Sequence, residues 1–334
     1  MHMSQIDTIF NLSSEEEFNN LALAVFRSQY QNNKVYHAFA QSLKTNPEAI
    51  KHYAQIPFLP IEFFKTQDVI NNDKSDDFIV FTSSSTTGQT PSRHIVSDIE
   101  IYKRSFMTGF EKFYGKPSDF AIVALLPNYL ERKGSSLVYM FNELIKKSGH
   151  PLSCFFMEDY EKLLDTIQKL KQENKKTLLI GVSYALLDLA EKNIKLNENF
   201  IVMETGGMKG KREEILKEEL HSILKQKLGV SSIHSEYGMT ELLSQAYSKG
   251  EGVFDCPPWM KVLVRDIEDP LSYVRENKTG GLNIIDLANV NSCSFIATQD
   301  LGRMKNNPDS YREQFELLGR FDNSDIRGCN LMVS

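Results

Sequence analysis

Short apolar runs alternate with amphipathic, helix-period segments between residues 77 and 234, and this alternation constrains the fold most strongly. The apolar runs are rich in β-branched and aromatic residues and cover residues 77–82, 121–126, 153–157, 177–182, 200–203 and 231–234. The helix-period segments cover residues 98–113, 160–174 and 213–228. Strands that alternate with helices usually form a parallel sheet with helices on its faces. The sequence therefore predicts an α/β fold with a mainly parallel sheet covered by helices.

The two ends of the chain have different patterns. The first sixty residues are amphipathic and helical in pattern, and Ser13 and Ser14 followed by three glutamates resemble a helix start. Residues 56–66 combine bulky apolar side chains with two prolines, which predicts an extended, packed connection. After residue 250 the chain is rich in strand and turn signals. We therefore expect helices at the N-terminus and a strand-rich C-terminal part.

Composition argues against several function classes. The chain has 38 Lys and Arg against 44 Asp and Glu, a net charge of -6, whereas nucleic-acid binders usually carry a basic excess. The four cysteines form no CxxC pair, which argues against a zinc site or a redox motif and favours a reducing compartment. The N-terminus lacks a signal-peptide profile, and the apolar stretch 178–190 is too short and too polar to span a bilayer. We expect a cytoplasmic protein with no nucleic-acid partner and no membrane span.

A run of hydroxyl residues follows the first predicted strand. It comprises Thr82, Ser83, Ser84, Ser85, Thr86 and Thr87, and Gly88 comes next. The main-chain N–H groups and hydroxyls of such a loop suit an anion such as phosphate. The same composition also suits an ordinary polar turn, so the run alone leaves both interpretations open.

The segment from His234 to Glu241 also follows a predicted strand, at the position where ligand sites of α/β folds usually lie. Tyr237 offers an aromatic face, Gly238 allows a close backbone approach, and Glu241 offers a hard oxygen ligand for magnesium. Taken alone, the segment could equally be a turn.

Two further polar segments lie nearer the C-terminus. Asp300, in the sequence Thr-Gln-Asp, could bind the paired hydroxyls of a ribose or could cap a turn. Arg320 belongs to the sequence Gly-Arg-Phe-Asp, and Cys329 lies five residues before the end.

The order of these segments carries more information than any one of them. A hydroxyl-rich loop, Gly-Gly-Met before a helix, Tyr-Gly-x-Thr-Glu, Thr-Gln-Asp and Gly-Arg-x-Asp follow one another within residues 55–334. This order resembles the adenylate-forming superfamily, which includes the acyl- and aryl-coenzyme A ligases. Within it, the chain resembles the long-chain acyl-protein synthetases of the LuxE type. The segments that carry this likeness are IPFLPIEFFKT, FTSSSTTGQTPSRH, SEYGMTELLSQAYS, CPPWMKVLVRD, ATQDLGR and RGCNLM.

The resemblance implies roles in binding ATP and Mg2+. It assigns the loop 82–88 to the ATP phosphates, Gly206, Gly207 and Met208 to the border of the adenine, and Tyr237 with the adjoining Gly238 to the adenine face. It assigns Glu241 to magnesium, Thr240 to the α-phosphate, Asp300 to the ribose hydroxyls and Arg320 to support of the nucleotide. The implied reaction is attack of a fatty carboxylate on the α-phosphorus, which releases pyrophosphate and forms an acyl-adenylate. Magnesium and oriented N–H donors are needed because both reactants are anionic.

The resemblance also implies a domain organisation. Residues 1–75 would form a helical region packed on the main domain, and residues 76–320 would form the adenylate-forming core. Residues 321–334 would form a short tail that carries Cys329. The expected fold is that of the superfamily's N-terminal domain, and the usual mobile C-terminal lid domain is expected to be absent or vestigial.

Several residues depart from the superfamily pattern. Ser85 stands where the loop usually has glycine, and we expect no counterpart of the lysine that the usual lid domain carries. Either another cation, such as Arg93 or Lys209, takes the role of that lysine, or the adenylation half-reaction is slow. His94 could donate to a phosphate or could be a buried histidine with satisfied hydrogen bonds.

Cys329 is the expected acyl carrier. LuxE-type synthetases transfer the acyl group to their own C-terminal cysteine, and Cys329, beside Arg327, occupies the matching position. A thiolate is the competent nucleophile, and a nearby cation favours it. We expect delivery from Cys329 to a partner such as an acyl-CoA-reductase-like protein. Cys329 could instead be a small packed hydrophobe. The chain would then be a ligase that uses coenzyme A or a carrier protein, or a catalytically weak scaffold subunit of a reductase complex.

Overall fold

The computed structural model describes residues 3–71, 78–83, 90–127, 134–157, 159–207, 212–213, 215–274, 277–305 and 314–321. Within these residues the helices are α1 (Met3–Phe10), α2 (Glu15–Asn32), α3 (Lys34–Ser42), α4 (Phe63–Thr66), α5 (Ile99–Tyr114), α6 (Ser136–Ser148), α7 (Tyr160–Gln172), α8 (Ser183–Ala190) and α9 (Lys217–Leu228). The strands are β1 (Leu59–Pro60), β2 (Ile79–Thr82), β3 (Arg93–Val96), β4 (Ala121–Leu125), β5 (Cys154–Phe156), β6 (Thr177–Val182), β7 (Phe200–Thr205), β8 (Ile233–Tyr237), β9 (Ala246–Ser248), β10 (Val253–Asp255), β11 (Met260–Arg265), β12 (Gly280–Asp286), β13 (Phe295–Lys305) and β14 (Gln314–Arg320). None of these helices is long and apolar enough to cross a membrane.

The strands from β4 to β14 form one long sheet with a parallel half and an antiparallel half. The parallel half has the order β5-β4-β6-β7-β8, and each neighbouring pair in it is parallel. The order continues through β9, β10, β14, β13, β12 and β11, and these pairs are antiparallel. β1 adds a parallel partner to β13, and β2 and β3 form a separate hairpin. The two halves meet where β8 pairs with β9.

The parallel half confirms the predicted alternation of strands and helices. Every residue of β4 and β6 is buried, as expected for parallel strands that are covered on both faces. Asp98 caps α5 by accepting a hydrogen bond from the N–H of Glu100, and Gly229 ends α9 with a φ of 75°. The helix predicted over 213–228 begins later, at Lys217.

The N-terminal helices pack against the antiparallel half. Ser14 caps α2, as predicted, by accepting a hydrogen bond from the N–H of Glu17. Farther along α2, the buried Gln29 donates to the main-chain oxygen of Asn289 at 3.0 Å. At the start of α3, the buried Asn33 donates to the main-chain oxygen of Ser292 at 3.1 Å. Buried side-chain amides therefore tie α2 and α3 to the loop between β12 and β13.

The connection predicted to be extended over residues 56–66 is extended only in part. β1 lies beside β13, with Leu59 opposite Ile296 and Pro60 opposite Ala297. The single-turn helix α4 follows, and its Phe64 is fully buried. The bulky side chains thus hold the connection on the antiparallel half.

Candidate active site

Three of the predicted site residues come together at the junction of the two halves of the sheet. Tyr237 is the last residue of β8, and residues 238–245 connect it to β9. Asp300 and Arg320 are directly opposite each other in the pairing of β13 with β14. Residues from three separate segments of the sequence therefore form one group at the carboxyl end of a parallel strand, where ligand sites of α/β folds usually lie.

Asp300 is the centre of this group. The Tyr237 hydroxyl donates to Asp300 Oδ2 at 2.7 Å, and Arg320 Nε lies 3.2 Å from Asp300 Oδ1. Burial raises the pKa of the Asp300 carboxyl, whereas Arg320, Tyr237 and Arg265 lower it. The Arg320 side chain is 70% exposed, so the cation that pairs with the buried carboxylate lies at the protein surface. An ionised carboxylate in this position can accept hydrogen bonds from a pair of hydroxyls.

The ring of Tyr237 is fixed by aromatic neighbours. Its centroid lies 5.9 Å from that of Phe254 and 5.4 Å from that of Phe315, both edge-on. Burial and the charge of Asp300 raise the pKa of the Tyr237 hydroxyl, so the phenol stays neutral and donates its proton to Asp300. Stacking of the ring on adenine stays a prediction.

Glu241 is a buried carboxylate on the loop that follows Tyr237. Burial raises its pKa, a hydrogen bond from Ser92 and the charge of Arg320 lower it, and the charge of Asp300 raises it. A buried carboxylate whose charge is only partly balanced is a favourable ligand for a cation. Mg2+ typically binds one or two protein carboxylates together with phosphates and waters, so Glu241 fits a magnesium site. No group of three or more His, Cys, Asp or Glu suited to a metal occurs in the described part of the chain.

The structure distinguishes between the two interpretations of His94. The ring is fully buried, its Nδ1 lies 2.8 Å from the Thr240 carbonyl oxygen, and its Nε2 lies 3.0 Å from Asn289 Oδ1. Burial lowers the pKa of His94 to about 4. Both ring nitrogens thus lie next to protein acceptors, and the neutral ring can donate its single N–H to one of them. Arg93, the neighbouring cation, is half-exposed and pairs with Asp68 at 3.3 Å.

The ends of the hydroxyl-rich loop are held together by hydrogen bonds. The N–H of Ser83 donates to the main-chain oxygen of Ser92 at 3.0 Å, and the N–H of Ser92 donates to the Ser83 hydroxyl at 2.8 Å. The N–H of Thr82 donates to the main-chain oxygen of Gly134 at 2.8 Å. Several residues predicted to belong to the site lie outside the described residues: Ser84, Ser85, Thr86, Thr87, Gly88, Met208, Lys209 and Cys329.

At two positions of the site, the local geometry explains why the residue is glycine. Gly206 follows β7 with a φ of 68°, and its carbonyl oxygen accepts a hydrogen bond from the Ser183 hydroxyl at 3.2 Å; Gly207 comes next. At Gly238 an added Cβ would lie 2.5 Å from Glu236 Oε1. Glycine at position 238 therefore allows the buried Glu236 carboxyl to lie against the backbone.

The sequence analysis missed two buried glutamates beside these glycines. The Thr205 hydroxyl donates to Glu236 Oε2 at 2.5 Å, and burial raises the pKa of Glu236 to about 7. Burial also acts to raise the pKa of Glu204, but Lys217, whose Nζ lies 2.8 Å away, and His221 lower it to about 2. The available signal was an acidic residue at the end of an apolar strand pattern, where an unpaired charge is costly.

Comparisons with known proteins identify the family of the chain. A family model described as "Acyl-protein synthetase, LuxE" matches residues 7–334. The long-chain-fatty-acid–luciferin-component ligase of Vibrio harveyi is 24% identical, over 94% of this chain and 86% of its own length.

Solved structures of adenylate-forming ligases share the fold. The 2-hydroxyisobutyryl-CoA ligase in complex with 2-HIB-AMP and CoA has a TM-score of 0.69 at 14% identity, and the match covers 92% of this chain and 75% of that one. ATP-bound MatB from Rhodopseudomonas palustris has a TM-score of 0.55 at 18% identity, over 75% of this chain and 49% of that one. The family model spans nearly the whole sequence, and the chain therefore belongs to the LuxE family of acyl-protein synthetases.

Proposed function

We propose that this protein activates a carboxylic acid with ATP, holds the acyl group on Cys329 and delivers it to a partner protein. The observation that carries the proposal is the hydrogen-bonded group of Tyr237, Asp300 and Arg320, with the buried Glu241 on the loop that follows Tyr237. A structural core has no need of a buried carboxylate between a phenol and an exposed guanidinium. A nucleotide with a ribose and a triphosphate uses all of these groups.

In the first step a carboxylate oxygen of the acid attacks the α-phosphorus of ATP. The bond between the α-phosphorus and the bridging oxygen breaks, and pyrophosphate leaves with the electron pair. Asp300 would accept hydrogen bonds from the ribose hydroxyls, and Thr240 and Arg320 would orient and stabilise the α-phosphate. The loop 82–88 would hold the outgoing phosphates, and Gly206, Gly207 and Met208 would border the adenine.

Glu241 would be the protein ligand of magnesium, and the ion would neutralise the phosphate charge that the carboxylate must approach. The protein's own contribution is to keep this carboxylate buried and fixed next to Ser92.

In the second step the Cys329 thiolate attacks the carbonyl carbon of the acyl-adenylate. A thioester forms, the carbon–oxygen bond to the phosphate breaks, and AMP leaves. Arg320 pairs with Asp300, and Cys329 lies nine residues after Arg320 in the sequence. Such a stretch spans at most about 30 Å when extended, so the thiol can reach the acyl-adenylate of its own chain.

The relative from Vibrio harveyi is named for a long-chain fatty acid, and we propose a fatty acid as the substrate class. The final acceptor would be an acyl-CoA-reductase-like protein that takes the acyl group from the thioester.

The test is the intact mass of the protein after incubation with ATP, Mg2+ and a mixture of carboxylic acids, before and after hydroxylamine. We expect an acyl adduct that hydroxylamine removes, located on Cys329. Cys329→Ser should abolish the adduct, whereas Cys154→Ser, which changes a partly buried cysteine of β5, should leave it intact.

Other outcomes have distinct meanings. Pyrophosphate release without an adduct would contradict the carrier role of Cys329 and favour a ligase that uses coenzyme A or a carrier protein. No acid-dependent ATP–pyrophosphate exchange would rule out both enzymes and favour a scaffold subunit.

A further inference from the structure

A network of buried polar side chains lies behind the segment that contains Thr240 and Glu241. His94 Nδ1 lies 2.8 Å from the Thr240 carbonyl oxygen. Asn289 Nδ2 donates to the Glu241 carbonyl oxygen at 2.8 Å and to the Cys293 carbonyl oxygen at 2.9 Å. His94 Nε2 lies 3.0 Å from Asn289 Oδ1, so the two side chains are in direct contact. The main chain of two successive site residues is therefore held by one linked pair.

Neither member of the pair is accessible to a ligand. The exposed fractions of His94 and Asn289 are 0% and 1%, and the imidazole packs edge-on against the ring of Phe64, with centroids 5.6 Å apart. Any effect of these residues on a nucleotide must therefore pass through the backbone that they hold.

The pair also connects two parts of the proposed site. His94 lies on β3, directly after the hydroxyl-rich loop, whose ends are closed by the bonds between Ser83 and Ser92. On the same side of the hairpin, Ser92 hydrogen-bonds the Glu241 side chain while His94 contacts the Thr240 carbonyl oxygen. The hairpin of β2 and β3 and the segment 240–241 therefore have a fixed relative position.

We infer that His94 and Asn289 are positioning residues that hold Thr240 and Glu241 at a fixed position relative to the β2–β3 hairpin. Phosphates and a divalent cation would then contact the hairpin and the segment 240–241 at the same time. This inference rests on the proposed function, because it concerns the same nucleotide site. Side chains that orient the ligands of a metal typically change its affinity by about 10- to 100-fold when they are removed.

Two amide substitutions at position 94 separate the contacts. In His94→Asn the amide nitrogen can take the place of Nδ1 and keep the bond to Thr240. In His94→Gln the amide reaches the place of Nε2, next to Asn289, and the bond to Thr240 is lost. Asn289→Ala removes two hydrogen bonds, one to the Glu241 carbonyl oxygen in the site and one to the Cys293 carbonyl oxygen in the neighbouring loop. Ser148→Ala is the matched control, because it removes buried hydrogen bonds to Phe120 and Ser153 far from the site.

The binding of Mn2+ in the presence of α,β-methylene-ATP, followed by electron paramagnetic resonance, measures the effect without turnover. We expect about tenfold weaker Mn2+ binding in His94→Gln and Asn289→Ala, and binding within about twofold of the wild type in His94→Asn and Ser148→Ala. The Mg2+ concentration for half-maximal ATP–pyrophosphate exchange should rise in the same two variants.

The outcomes are distinguishable. In one outcome, the wild type binds Mn2+ with the nucleotide, and His94→Gln, His94→Asn and Ser148→Ala all bind it with equal affinity. That result would overturn the positioning role and leave the proposed function intact. A wild type that binds no Mn2+ with the nucleotide would overturn the proposed function and the positioning role with it.

Discussion

The two sides of the segment from Tyr237 to Ser244 differ in how many hydrogen-bonding positions of their polar groups already have protein partners. On the side of Asp300 and Arg320, the carboxylate has one neutral donor and one cation that is 70% exposed. On the opposite side, Asp286 is fully buried and accepts hydrogen bonds from the N–H groups of Leu243 and Ser244 at 2.7 and 2.9 Å. We call these the Asp300 side and the Asp286 side.

Among the described residues, the Asp286 carboxylate already has four hydrogen-bond donors. Asp286 Oδ1 also accepts bonds from the Ser244 hydroxyl at 2.6 Å and from the N–H of Ala288 at 3.1 Å. His94 and Asn289 are bonded to each other and to carbonyls of the segment. Saturated polar groups specify a backbone position, whereas partly used groups near the surface are available to bind. The difference predicts that substitution of Asp286 changes stability and that substitutions on the Asp300 side change catalysis, whereas His94 and Asn289 affect the site through the backbone of Thr240 and Glu241.

The largest effect on catalysis is expected for Glu241→Gln. The amide has nearly the same shape but no charge to bind magnesium, so acid-dependent ATP–pyrophosphate exchange should fall roughly 100-fold, equivalent to about 2.7 kcal/mol. Burial raises the pKa of Glu241, which means that its charged form costs free energy in the folded state. The free energy of unfolding at pH 8 should therefore stay constant or increase. Unchanged exchange kinetics would show that Glu241 is not the metal ligand.

Asp286→Asn should give the largest effect on stability. The new amide group would point its hydrogens at main-chain N–H groups, which leaves buried donors without an acceptor. We expect a loss of about 2 kcal/mol in the free energy of unfolding, measured by urea denaturation. Exchange activity per folded molecule should stay within about threefold of the wild type. A variant with full stability and a large loss of activity would contradict the division between the two sides.

The sequence was sufficient for the parallel half because its signals are local. The predicted range 177–182 coincides with β6, and the start of α5 at Asp98 and the end of α9 at Gly229 follow the expected capping rules. Helices α6 and α8 were missed, because neither has the acidic first turn that marked α2. The predicted strands and helices of this half differ from the observed ones by a few residues at their ends.

Motif order predicted the residues of the candidate site, but it did not predict how they are arranged in space. The contact between Tyr237 and Asp300 depends on how β8, β14 and β13 are arranged in the sheet, and a linear sequence carries no local signal for that pairing. Asp286, Asn289 and His94 belong to no motif that predicts their contacts, and those contacts include partners far away in the sequence. The sequence therefore predicts candidate binding residues, whereas the contacts that position them are visible only in the structure.

Tyr237→Phe sharpens the comparison by removing one donor from the Asp300 side. Loss of about 1 kcal/mol in hydrogen bonding should raise the KM for ATP about fivefold. The hydrogen bond from Tyr237 lowers the pKa of Asp300, so its removal raises that pKa. As the pH falls, activity that needs the ionised carboxylate should therefore be lost at a higher pH than in the wild type. The acid limb of the pH–rate profile should move to higher pH. Tyr247→Phe is the control, because the buried Tyr247 hydroxyl has no hydrogen-bond partner among the described residues.

Arg320→Gln should have the smallest effect on stability and thereby tests the comparison most directly. An ion pair that involves a side chain exposed at 70% contributes little, so the free energy of unfolding should change by less than about 0.5 kcal/mol. Arg303→Gln, which breaks the pair with Glu316 on the same two strands, provides a matched control of stability. Of these two variants, Arg320→Gln alone should raise the KM for ATP, because Arg320 contacts Asp300 whereas Arg303 pairs with Glu316. A loss of stability as large as that of Asp286→Asn would show that the Asp300 side also holds the fold together.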